Sequence, residues 1–185
     1  MSLKPIVEEI ENYEDKTPSS TDRPFTDFIM ESKDGQEIPC HRVFLATWSK
    51  VFRAMFESDM KEASENRLKL EFQAEVLQQF VDFFYDTEVR SDLLLKNYED
   101  FLNLSEKYDL HLLKLKTELV LMKNLSLENM VDYYMLGDLY NAKHLKDAAK
   151  KFMINNKNCL KDTKLATMLK SYDTDKVVDI MQILL

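Results

Sequence analysis

The chain has 185 residues, a formal net charge of −8, 45% apolar and 31% charged residues, a composition that supports a folded core and excludes a disordered polymer. The acidic excess repels a phosphate backbone and argues against nucleic acid, and the basic run Lys143 to Lys151, broken by Asp147, reads as one solvated helix face. Only two glycines, two cysteines and three dispersed histidines are present, which excludes glycine-rich phosphate loops, nucleophile elbows, a disulfide framework and a zinc site, so no cofactor, no metal and no enzyme activity are expected.

In chain order, Pro5 followed by Ile6, Ile10 and Tyr13 predicts a short amphipathic helix. So short a helix must dock its apolar stripe, either on its own domain or on a second subunit. Lys16 to Pro24 is a linker. Phe25 to Glu31 reads as a strand, and Asp34-Gly35 turns it into a second strand, Gln36 to Cys40. Asp27, unusual inside a strand, is expected to cap, to face solvent or to pair. His41, at a strand-to-helix junction without a sequence triad, reads as structural rather than catalytic.

Val43 to Phe56 is apolar on more than one helical face, which predicts a central buried element broken at Ser49-Lys50. A polar loop over Glu57 to Asn66 and a third strand over Arg67 to Glu71 follow. Helices are expected over Glu75 to Tyr85, Tyr98 to Tyr108 and Leu112 to Met122. From Ser126, read as an N-cap, the pattern is helical: Leu127 to Asn141, Lys143 to Asn155, Lys164 to Leu169 and Asp175 to Leu185. Gly137, inside the first of these, is expected to let a neighbouring helix pack close. The order gives an α+β class, a small sheet capped by a cluster of helices with an all-α C-terminal extension. No apolar run approaches the ~20 residues of a membrane span and no signal-peptide pattern opens the chain, so a nuclear or cytoplasmic protein without membrane contact is expected.

Phe25-Thr26-Asp27, the run Gln36 to Ala46, Ser49 to Phe56, Met60 to Arg67, Phe83-Phe84-Tyr85 and Glu106 to Leu110 together resemble a BTB/POZ domain, closely that of speckle-type POZ proteins. Asn124 to Asn129 and Leu136 to Ala142 are similar to the 3-box, or truncated BACK, extension of the same group. Two turns depart from that pattern, Ser49-Lys50 and Tyr85-Asp86-Thr87-Glu88. The resemblance implies a linker and helix over 1–24, a BTB/POZ domain over 25–122 and a BACK-like extension over 123–185.

It further implies a homodimer, or a pairing with related BTB proteins, that binds the N-terminal region of cullin-3 and serves as a noncatalytic ubiquitin-ligase adaptor. The family's hydrophobic-x-Glu motif falls on Met60 and Glu62, with Asp59, Tyr108 and Leu110 carried over to the same surface. A flexible methionine suits an apolar groove, and a carboxylate adds charge-assisted hydrogen bonds. The dimer interface is expected at Ile6, Ile10, Asp27, Arg42, Phe44 and Trp48, with a buried Asp27–Arg42 pair setting register. Residues 1–24 are too few for a MATH or Kelch substrate reader. Substrate must then come through a hetero-partner, through a longer chain, or through the BTB surface or helical tail. The rival reading is a dimerisation scaffold that never meets a cullin.

Overall fold

The computed structural model describes residues 6–8, 23–86, 88–157, 178 and 180–182. Three short strands form one sheet: β1 (Phe28–Glu31), β2 (Glu37–Cys40) and β3 (Arg67–Lys69), in the order β2-β1-β3. β1 and β2 are an antiparallel hairpin in which Phe28 faces Cys40 and Met30 faces Ile38, and β3 lies parallel to β1 with Leu68 beside Met30. Alternation in each strand sends Phe28, Met30, Ile38, Cys40 and Leu68 into the core. The hairpin turn closes as predicted. Gly35 takes φ 81°, and buried Ser32 donates to Asp34 Oδ1 (2.6 Å) while its hydroxyl accepts from the N–H of Gln36 (2.9 Å).

A parallel β1–β3 pair needs a crossover, and helices α1 (Arg42–Trp48), α2 (Lys50–Phe56) and α3 (Lys61–Glu65) supply it. The predicted break is Ser49. Wholly buried, it ends α1 and caps α2 by accepting from the N–H of Phe52 (3.1 Å), and its hydroxyl donates to the carbonyl of Tyr108 (2.6 Å). Helices α4 (Ala74–Asp86), α5 (Ser91–Lys96), α6 (Tyr98–Lys107) and α7 (His111–Lys123) complete this part. Its core is aromatic: Phe52 packs on Phe84 (5.8 Å) and Phe80 on Phe84 (5.2 Å), both edge-on.

Contacts divide the chain into two compact units, one over Lys4–Thr117 and the other including Glu118–Leu185, the division falling inside α7. In the second unit, α8 (Met130–Leu139) and α9 (Lys143–Asn155) form a helical hairpin over a core of Met130, Val131, Met153 and Ile180. Buried Glu118 accepts from the N–H groups of His144 (3.1 Å) and Leu145 (3.4 Å), tying the start of α9 by its free amides.

Four expectations are corrected. β1 starts at Phe28, because Phe25 adopts φ 61° outside any strand. Glu57 to Asn66 is not a loop throughout but contains α3, and α5 went unread because its six residues offer only Leu93 and Leu94 as buried periodic positions. The helix expected from Leu127 begins at Met130. Ser126 instead opens a turn, accepting from the N–H of Glu128 (3.2 Å) and donating its own N–H to Asn129 Oδ1 (2.8 Å). The helix expected over Lys164 to Leu169 lies outside the described residues.

Candidate partner-binding site

α2 ends at Phe56, and Ser58 turns the chain by donating to the carbonyl of Met55 (2.7 Å). Met60 is the extended N-cap residue of α3 (φ −68°, ψ 150°) and is 48% exposed, a large apolar side chain held at the surface where burial would be favourable. Glu62 is half-buried in the first turn of α3, where its carboxylate complements the free N–H groups. Asp59 is exposed beside them. Asn66 ends α3 in the left-handed conformation (φ 56°), its N–H closing on the carbonyl of Glu62. Glu57, Asp59, Glu62 and Glu65 face only one base within the segment, Lys61, so the surface is an apolar point in an acidic frame.

Tyr108 and Leu110 are buried, 1% and 2% exposed. Burial pushes the Tyr108 phenol above its ordinary range, and the negative charge of Glu62 adds to the shift. Within the single chain both side chains are already covered. Leu110 and Trp48, assigned to different surfaces from the sequence, line one cavity of about 210 Å³ with Lys50, Phe83 and His111.

A second surface surrounds the start of α1. Val43 is 64% exposed and Phe25 94% exposed. Their backbones are anchored around one junction. His41 Nε2 donates to the carbonyl of Pro24 (2.8 Å), which leaves Nδ1 to accept from the hydroxyl of Tyr85 (2.8 Å), and that oxygen accepts the backbone N–H of His41 (3.0 Å). Both ring nitrogens are thus engaged in structure. Phe44 packs edge-on against Tyr85 (4.7 Å) and Trp48 lies tilted against Phe83 (6.1 Å), with Phe44 and Trp48 each half-buried.

A family model for the BTB/POZ domain matches residues 18–125. The chain belongs to the BTB/POZ family. It is also 31% identical over 173 residues to a BTB/POZ domain-containing protein of Arabidopsis thaliana, an alignment that covers 91% of this chain and 70% of the relative. BTB/POZ domains are generally non-enzymatic modules that mediate association with themselves or with other proteins, and the two exposed apolar features above are where such association has material to work with.

Against this BTB/POZ frame the expected dimer residues separate. Ile6 is helical and 1% exposed, so within one chain its side chain is already covered; Ile10 lies outside the described residues. Asp27 does not pair with the Arg42 guanidinium: its Oδ1 accepts from the Arg42 backbone N–H (2.8 Å) at the start of α1, the capping alternative. The guanidinium turns to α3. Phe25 and Val43 escaped the sequence reading, Phe25 because it was placed in a strand and Val43 because it was counted in a buried helix. The signal for Val43 was there, since a helix apolar all round needs cover on every side.

Proposed function

We propose that this BTB/POZ chain is a dimeric, noncatalytic adaptor that binds the N-terminal region of cullin-3 through Met60 and Glu62, with Asp59 beside them, and brings protein substrates to a cullin-RING ubiquitin ligase. One observation carries the reading: Met60 stands exposed at the head of α3, directly after the core helix α2, with Glu62 fixed in the same turn. The likeness to speckle-type POZ proteins supplies the partner's identity. The helical unit after α7, in the place of a 3-box or BACK extension, supports the same assignment. A dimer seated on Val43, Phe25, Phe44 and Trp48 would cover the apolar surface at the start of α1. A scaffold that meets no cullin needs that surface alone and gives exposed Met60 nothing to do.

The test is co-elution of the purified chain with the cullin-3 N-terminal domain in size-exclusion chromatography. A shared peak that Met60→Asp splits supports the adaptor, and separate elution of the unaltered proteins refutes it.

A further inference from the structure

We infer that Arg42 is a positioning residue that clamps α3, holding Met60 and Glu62 preformed for their partner; this deepens the adaptor reading and rests on it for the partner's identity. The backbone N–H of Arg42 is held by Asp27, and its guanidinium lies over the rings of Phe56 (5.1 Å) and Phe28 (5.7 Å). From there it donates to the carbonyl of Ala63 and to Oδ1 of Asn66. Ala63 directly follows Glu62, and Asn66 is the left-handed cap of α3. Nε of Arg42 is buried with no hydrogen-bond partner, so the guanidinium is placed at a desolvation cost, offset by two charge-assisted bonds and two ring faces.

A helix of five residues closes too few hydrogen bonds to persist in water on its own. What holds α3 is therefore tertiary: the backbone N–H of Ile29 donates to the carbonyl of Asn66 (2.9 Å), and the Arg42 clamp adds the side-chain contacts at the same C-terminal end. Arginine is needed for geometry: a planar fork serves two acceptors while lying on aromatic rings, which a lysine ammonium cannot do.

Two variants of the full chain test this. Asn66→Gly keeps a residue that adopts positive φ freely and deletes the acceptor, while Arg42→Met keeps an apolar stem on the rings and deletes the donors. Amide exchange is followed by NMR at Ser64, which donates to the carbonyl of Met60 (3.1 Å), and at Asn66, which donates to that of Glu62. Each variant is expected to raise exchange at these amides about tenfold, the double variant no further, with α4 protection unchanged. Both are expected to bind the cullin-3 N-terminal domain about five- to tenfold more weakly.

Unchanged exchange at Ser64 and Asn66 overturns the inference. So does loss of protection throughout Lys4–Thr117, or effects that add in the double variant, since either makes Arg42 merely structural. Faster exchange with full cullin affinity also overturns it. If the unaltered chain binds no cullin, the adaptor reading falls and exchange alone decides whether Arg42 clamps α3.

Discussion

Phe52 and Tyr108 lie ring on ring, their centroids 4.5 Å apart and their planes within 2° of parallel. The stack joins α2 to the end of α6 beneath the segment that presents Met60, and stacking adds about 1 kcal/mol beyond the area it buries. Tyr108→Ala is expected to lower stability by about 3 to 5 kcal/mol in urea unfolding, and Tyr108→Phe by less than about 1.5 kcal/mol. Because burial, and secondarily Glu62, raise the phenol above its ordinary value of 10.0, the neutral form is favoured in the fold. Its contribution is complete below pH 10 and is lost as pH rises toward the folded value; Tyr108→Phe should flatten that alkaline decline.

Cys40 is buried, and burial pushes its thiol up from 9.0 to about 12. Stability attributable to the neutral thiol is therefore full below pH 9 and declines between pH 9 and about 12, as the unfolded chain gains the thiolate first. In a Cys159→Ser background, Cys40 is expected to resist a thiol reagent at pH 8 until denaturant is added. Rapid labelling of the native chain would show the site is open.

Gly137 was expected to permit a close helix approach, and a Cβ built there meets Cβ, Cα and N of Lys146 at 2.7 to 2.8 Å. Two of those atoms are backbone, so α9 itself must move. Gly137→Ala gains about 1 kcal/mol of helix propensity but is expected to lose about 2 kcal/mol or more by overpacking, giving a net fall in the melting temperature of the helical unit. A rise would mean that the hairpin relaxes freely.

The dimer predicted under the adaptor reading places Val43 and Phe25 at the interface. Val43→Glu and Phe25→Glu should each convert a dimer at micromolar concentration into a monomer, as read by light scattering, with little change in the monomer's fold because both side chains are exposed. A monomeric unaltered chain would contradict this prediction.

Local chemistry made much of the fold legible. Alternation exposed the hairpin, Asp34-Gly35 its turn, Ser49 the break between α1 and α2, and Val76, Leu77, Phe80, Val81 and Phe84 the face of α4. What stayed hidden depends on tertiary partners. No pattern marks α3, whose five residues are held by an arginine that is distant in sequence, and none marks Tyr108 as buried, since its cover comes from Phe52 and Phe80. At the candidate site Met60, Asp59 and Glu62 were placed by family likeness, whereas the choice of Arg42 between Asp27 and Asn66 depended on which acceptor the folded chain brings within reach.

The most direct measurement is calorimetric titration of the cullin-3 N-terminal domain into the unaltered chain and into Met60→Asp and Glu62→Lys. The account predicts saturable binding by the unaltered chain, weakened at least about tenfold by each substitution, with the thermal melt unchanged. No heat of binding from the unaltered chain, or equal affinity for all three, would contradict it.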